Sequence, residues 1–317
     1  MNRHKLVILS RSFAKACDDP LRYLDENEID YELVRNDEPE NIEFIAQKIG
    51  DAQAVITGSD IIDRYVMDHC PNLKLVSKHG VGLDSIDLKL AAERGITVTK
   101  TPDANNESVA DLTVMLMLSV LRNFVDNLIK CPTPDWHSKG LSNDLYGKTV
   151  GLVGYGKIGK AVAKRLVGFN AEILVSDPFV KESDFVTENT RLVSLENLLR
   201  YSDIVSLHVP LTEATFHMID KEALDMMRDG AILINTSRGA LVDDHALYQA
   251  LIAGRLKGVG LDVFSVEPPV DEPLLTLHNV VATPHIAPHT MEANYRMGMA
   301  AARNVVEFFR KEDAAEK

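Results

Sequence analysis

The stretch TVGLVGYGKIGKAVAKRLVGFNAEILVSD, residues 149–177, decides the fold. Its first five residues are apolar and rich in Val, as a buried strand requires. Gly154, Gly156 and Gly159 follow at once in the spacing G-x-G-x-x-G, and the chain then takes up helical spacing over 157–168. A glycine triplet alone is common. Between a strand and a helix it is a dinucleotide fingerprint. Gly154 permits the tight turn, Gly156 lets the main chain approach a pyrophosphate, and Gly159 lets helix and strand pack closely. The helix start adds free N–H groups and the positive end of a dipole. A second strand, 172–176, then leads to Asp177, 18 residues after Gly159. A carboxylate there accepts hydrogen bonds from ribose hydroxyls and repels a 2′-phosphate. No Arg stands among Pro178, Phe179 and Val180, so NAD is favoured over NADP.

Moving outward, the same rhythm continues. Strand patterns at 204–208, 231–235, 258–262 and 279–282 alternate with helical patterns near 194–201, 221–228 and 244–255. Six near-continuous apolar strands separated by helices imply a doubly wound parallel sheet covered on both faces. Upstream, 5–9, 53–57, 73–77 and 96–99 read as strands, with helical spacing at 41–49, 60–69 and 84–94. Residues 105–130 read as one long apolar helix, 131–146 as a loop around Pro132, Pro134 and Trp136, and 290–311 as a final helix. Met115 and Met117 read as core or subunit-interface packing.

Composition bounds the function. At roughly 150 residues per domain, 317 residues make about two domains. Lys plus Arg number 34 against 47 Asp plus Glu, a formal charge of −13. Such a chain repels phosphate backbones and anionic membrane surfaces, so neither nucleic acid nor membrane is expected as a partner. Cys17, Cys70 and Cys131 are too few and too scattered for a disulfide framework or a zinc site, and no metal is expected. They read as packing residues in a reducing, cytoplasmic compartment.

Three blocks sit where strands of the second half end: Asn235-Thr236-Ser237-Arg238-Gly239, Asp262 to Pro269, and Thr283-Pro284-His285. In an open α/β sheet the ligand crevice lies beyond the carboxyl ends of the strands, so Arg238, Glu267 and His285 are candidates for one site. A guanidinium fork clamps a carboxylate, and an imidazole exchanges a proton near neutrality. A carboxylate beside the imidazole orients the ring and favours its charged form. Singly each residue is unremarkable, a surface Arg, a loop Glu and one of ten His. Together they suit hydride transfer to a clamped acid.

With these blocks in order, and with Lys78-His79-Gly80-Val81-Gly82, Asn106-Glu107-Ser108 and His208-Val209-Pro210-Leu211-Thr212, the chain resembles the D-isomer-specific 2-hydroxyacid dehydrogenases over nearly its whole length. The resemblance implies a flavodoxin-like substrate-binding lobe, 1–103 plus 289–317, with a Rossmann NAD-binding lobe, 104–288, inserted into it. It implies Arg238 as carboxylate clamp, Glu267 as partner of His285, and His285 as proton donor. It gives Gly80, Val81 and Gly82 as N–H donors to the substrate carboxylate, and Lys157 and Ile158 as part of the pyrophosphate turn. Val209, Thr236, Ser237 and Asp262 would line the adenine, ribose and nicotinamide sites, and Ser59 and His79 the substrate side-chain pocket. The substrate would be a small D-2-hydroxy acid or 2-keto acid, and the protein a homodimer through 105–146 and the nucleotide lobe.

Two departures stand out. Phosphoglycerate-handling members carry an Arg in the loop where this chain has Thr57-Gly58-Ser59-Asp60, leaving Lys78 and His79 as the nearby groups for an anion. Asp103 stands where the family often has Gly, at the expected hinge. The chain ends after the last helix, so no feedback through a C-terminal regulatory module is expected. Two other activities use the same scaffold: an NAD(H)-sensing corepressor-like binding protein, and a phosphite-type dehydrogenase.

Overall fold

The computed structural model describes residues 4–138 and 140–315, so Lys139 of the 131–146 loop and the extreme termini of the expected lobes lie outside the described residues. The chain divides into two compact units, Met1–Asn105 with Pro288–Lys317, and Asn106–Ala287.

The first unit is a five-stranded parallel sheet. Its strands are β1 (Lys5–Ile8), β2 (Asp30–Leu33), β3 (Ala54–Thr57), β4 (Leu75–Lys78) and β5 (Thr97–Thr99), in the order β2-β1-β3-β4-β5. That is the flavodoxin order, and its topological switch lies between β1 and β3. Helices α1 (Asp19–Glu26), α2 (Ile42–Ile49), α3 (Arg64–His69) and α4 (Leu88–Glu93) connect the strands. Side chains of Asn41, Asp63 and Asp87 accept the first free N–H groups of α2, α3 and α4, so each helix starts at a capping residue. The C-terminal helix, Met291–Ala315, returns to this unit and buries Ala301, Val305 and Phe309 against Leu6, Ile8 and Leu24. β2 escapes sequence inspection because it is an edge strand with a polar, half-exposed pattern.

The second unit holds the decisive stretch. β6 (Thr149–Val153), β7 (Glu172–Ser176), β8 (Thr190–Leu192), β9 (Ile204–Leu207), β10 (Ala231–Asn235), β11 (Leu256–Leu261) and β12 (Val280–Ala282) form one parallel sheet. Their order is β12-β11-β10-β9-β6-β7-β8, so β6 pairs with the central strand β9 and the chain winds out to both sides from this pair. Both sheets are the α/β class expected. The second has seven strands rather than six, because β8, only three residues at the edge, carries Arg191 and leaves no apolar run.

The helix expected over 105–130 is two helices, α5 (Asn106–Leu121) and α6 (Phe124–Lys130), bent by 63°. Asn123 takes a left-handed conformation, φ 47°, which ends α5 and lets α6 leave at an angle. α5 is a core helix and buries Leu116, Met117 and Val120, whereas Met115 points outward. No single helix among the described residues is long and apolar enough to cross a membrane. Helix α7 (Lys157–Leu166) packs on α5, and α8 (Leu195–Tyr201), α9 (Lys221–Met226) and α10 (Asp244–Ile252) complete the unit. Of the cysteines, Cys70 packs in the core of the first unit, but Cys131 is exposed, because α6 ends at the surface.

Candidate functional site

The glycine loop has the geometry its spacing implies. Gly154 sits at φ 94°, and a Cβ there would lie 2.7 Å from the His208 carbonyl oxygen, so no side chain fits. At Gly159 a Cβ would lie 2.5 Å from the Gly154 carbonyl oxygen. Gly156, the cap of α7, has open space where a side chain would stand. That is the position at which a pyrophosphate needs close access to main-chain N–H groups. Lys157 and Ile158 form the first turn of α7 beside it, Lys157 exposed and Ile158 half-buried.

Asp177 follows β7. One carboxylate oxygen accepts the Tyr155 N–H at 2.8 Å and the other the Phe179 N–H at 2.9 Å. The main chain thus fixes the carboxylate, and each oxygen keeps a further lone pair for a ribose hydroxyl. Beyond it opens a groove of about 530 Å³, lined by Ser176, Asp177, Pro178 and Val180 and, from the far side, Leu192, Val193 and Ser194. Leu192 ends β8, the strand the sequence pattern does not reveal, and Val193 and Ser194 follow it, so sequence inspection misses all three. Glycine loop, fixed acid and groove together fit a dinucleotide.

His208 and Val209 follow β9. The His208 ring is held by the Ser206 hydroxyl, 3.0 Å from Nε2, and burial pushes its pKa down to about 4. Val209 is half-buried and leans over Gly154, where its Cγ1 would lie 2.9 Å from an added Cβ.

Asn235, which sequence inspection treats only as the end of a strand, builds the turn after β10. Its side chain accepts the Ser237 N–H at 3.0 Å and donates to the Arg238 carbonyl at 2.8 Å. The Ser237 hydroxyl donates to the Leu207 carbonyl at 2.7 Å, tying this turn to β9. The Thr236 hydroxyl lies 3.0 Å from that of Thr113 in α5, so its side chain serves packing. The Arg238 guanidinium leaves this turn half-buried and donates to the Ser237 carbonyl at 2.6 Å.

Arg238, Glu267 and His285 do come together. Glu267 Oε2 lies 2.7 Å from His285 Nδ1, and Glu267 Oε1 accepts the Phe264 N–H at 3.1 Å. Burial alone would raise the Glu267 pKa. The hydrogen bond and charge of His285, with the Phe264 N–H and Arg238 behind them, outweigh it and hold the carboxyl below its ordinary value. Glu267 is therefore an anion at neutral pH, and it keeps the Nδ1 proton on its own side of the ring. Nε2 is left to face outward, and the His285 side chain is 45% exposed.

Asp262 is held by the turn that follows β12. Its carboxylate is fully buried and accepts the Thr283 hydroxyl at 2.6 Å and the Ile286 and Ala287 N–H groups at 2.8 and 2.9 Å. Those three donors bracket His285, which sits at φ 51°, a left-handed conformation uncommon for a side-chain-bearing residue. Asp262 thus holds the turn that presents His285.

In the first unit, the Gly80 N–H already donates to the Thr101 hydroxyl at 3.0 Å. Val81 is exposed and Gly82 half-buried on the same turn, and Ser59 is exposed beyond β3. Asp103 has φ 68°, a conformation that Gly takes at lower cost and that Asp tolerates better than most residues. Among the described residues, no group of three or more His, Cys, Asp or Glu is placed to hold a metal.

Comparison with known proteins shows the family. Residues 114–287 match the family model described as D-isomer specific 2-hydroxyacid dehydrogenase, NAD binding domain. The chain is 42% identical over 255 residues to a hydroxypyruvate reductase of Thermotoga maritima, covering 79% of this chain and 82% of that one. It is 43% identical over 295 residues to a glyoxylate reductase of Korarchaeum cryptofilum, covering 90% and 89%. Among solved structures it is similar to D-lactate dehydrogenase of Aquifex aeolicus complexed with NAD and lactic acid, with TM-score 0.84, 29% identity and 98% and 97% coverage.

Proposed function

Because this chain belongs to the D-isomer specific 2-hydroxyacid dehydrogenases, we propose that it reduces a small 2-keto acid, of the glyoxylate or hydroxypyruvate kind, to the D-2-hydroxy acid with NADH. The enzyme class and the binding of NAD follow from the family. The observation that carries the reading of the site is the 2.7 Å contact between Glu267 and His285, with Arg238 close enough to contribute to the charge around Glu267.

Bound NADH supplies the hydride. The protein supplies the rest. Arg238 offers a guanidinium fork to the substrate carboxylate and a positive charge near the carbonyl to be reduced. His285, protonated, gives its Nε2 proton to that carbonyl oxygen as the hydride arrives at carbon. Glu267 accepts from Nδ1 and keeps the ring oriented. Per turnover the keto acid gains one hydride and one proton, and His285 regains its proton from solvent.

Asp177, with no Arg in the three residues after it, supports NADH over NADPH. Nucleotide binding by Gly154–Gly159 and the Asp177 groove assigns the NAD-binding role to the second unit, and the substrate-binding role falls to the first. A second copy of the chain is proposed to cover the apolar face of α6. That face exposes Phe124, Leu128 and Ile129, with Trp136 and Leu141 beyond it. Light scattering then gives the mass of two 35.1 kDa chains, and the mass of a single chain overturns the pairing.

The activity is tested by following NADH consumption with glyoxylate, hydroxypyruvate and pyruvate, and NADPH in parallel. Turnover with at least one keto acid, faster with NADH, is the expected result. NADH formation from phosphite without turnover of any keto acid would overturn the proposal.

A further inference from the structure

We propose that Gly239 is a positioning residue for Glu267. Its missing side chain lets the Phe264–Ser265 peptide lie against the turn that carries Arg238, and that seats the Glu267 carboxylate on His285. The proposal rests on the reading above that this site reduces a 2-keto acid.

Gly239 is buried directly after Arg238, at the start of a single helical turn, Gly239–Leu241. A Cβ there would lie 1.9 Å from the Phe264 carbonyl carbon, 2.2 Å from the Ser265 nitrogen and 2.3 Å from the Phe264 carbonyl oxygen. Among the described residues no other glycine comes so close to a neighbour. All three atoms are main chain, so no side-chain rotation relieves the overlap. Carbon atoms rest about 3.5–4.0 Å apart, so a methyl group at 239 must drive one segment back by more than about 1 Å.

The two segments do not yield equally. The Ala240 carbonyl accepts the His217 N–H at 2.9 Å, the Leu241 carbonyl accepts the Ile219 N–H at 3.0 Å, and Leu241 is fully buried. Ahead of Arg238, Asn235 and Ser237 tie the turn to itself and to β9. The side that carries Arg238 is thus braced from behind. On the other side Ser265 to Pro268 are exposed, so the Phe264–Ser265 peptide is the one that gives way.

Glu267 goes with that peptide. Its Oε1 accepts the Phe264 N–H at 3.1 Å, and its Oε2 lies 2.7 Å from His285 Nδ1. His285 stays behind, because Asp262 grips Ile286 and Ala287 next to it. A displaced 264–267 segment therefore takes the carboxylate off the ring. Asp244, at the start of α10, adds a second hold, since its carboxylate hydrogen-bonds with the Ser265 side chain. Gly239 admits the peptide and Asp244 retains it.

Gly239→Ala is expected to lower kcat for keto acid reduction by about 10²-fold, the usual cost of misplacing a catalytic group by about 1 Å. KM for the keto acid and the affinity for NADH should stay within about threefold, because Arg238 and the glycine loop keep their places. A double-mutant cycle separates positioning from general damage. In a Glu267→Ala background, Gly239→Ala should lower kcat by less than about threefold more, because the contact it disturbs is already gone. Gly258→Ala, earlier in β11, puts a Cβ 2.5 Å from the Asn279 carbonyl oxygen. That overlap lies away from the site and should leave kcat within about threefold of wild type. If Gly239→Ala does not fold, Asp244→Ala serves. It should lower kcat by about tenfold, and Asp244→Asn, which keeps an oxygen for Ser265, should restore most of that loss. A wild-type kcat in Gly239→Ala or Asp244→Ala, an undiminished loss in the Glu267→Ala background, or an equal loss in Gly258→Ala overturns the positioning role and leaves the 2-keto acid reading intact. Absence of turnover by the wild-type protein on every keto acid overturns both.

Discussion

Replacing His285 with Ala is expected to lower kcat for keto acid reduction by about 10²- to 10⁴-fold, the usual value of a positioned general acid. The affinity for NADH should stay within about twofold, because His285 lies on the turn after β12 and contacts neither Asp177 nor the glycine loop. The physical reason is local. Without the ring no group held by Glu267 can deliver a proton to the carbonyl oxygen, and water must do so unaided. Stopped-flow measurement of a single turnover, with NADH binding followed by fluorescence, separates the two quantities. An unchanged rate of hydride transfer would remove His285 from the chemistry, and a parallel loss of NADH binding would make the variant a folding defect.

Asp262→Ala is expected to be damaging in two ways at once. It strands three donors, the Thr283 hydroxyl and the Ile286 and Ala287 N–H groups, at a fully buried position. Stranding donors of this kind costs about 3–5 kcal/mol of stability in total. The second effect is on catalysis. His285 occupies a left-handed conformation that persists only while its surroundings hold it, and Asp262 grips the residues on both sides of it. Turnover should therefore fall by an amount approaching that of His285→Ala, even though Asp262 is fully buried. Asp262→Asn keeps the volume and one acceptor oxygen, so it should sit between the two in both stability and kcat. Thermal unfolding and kcat measured on the same preparations decide the point. Wild-type values for Asp262→Ala in both would contradict the role assigned to this carboxylate.

These two residues also mark what the sequence reveals and what it hides. The nucleotide-binding stretch was legible because each requirement is local: a strand, a glycine where φ is 94°, a helix start, then an acid at the next strand end. Arg238, Glu267 and His285 were legible as strand-end residues of the right chemical types. What escaped depends on pairing between distant segments. Asp262 looks like one more strand-end acid until its three donors, 21 to 25 residues away, are seen around it. The Ser10–His79 contact spans 69 residues and leaves no periodic trace. β2 and β8 are short edge strands with polar positions, so no apolar run announces them. The break between α5 and α6 rests on the backbone of one residue, Asn123, within an otherwise helical pattern.

The most direct test of the central claim is the configuration of the product. Hydroxypyruvate is reduced with NADH by the wild-type protein, and the glycerate formed is resolved on a chiral column. D-glycerate, one molecule per NADH consumed, is the predicted result. L-glycerate, or no NADH consumption with hydroxypyruvate, glyoxylate or pyruvate, would contradict it.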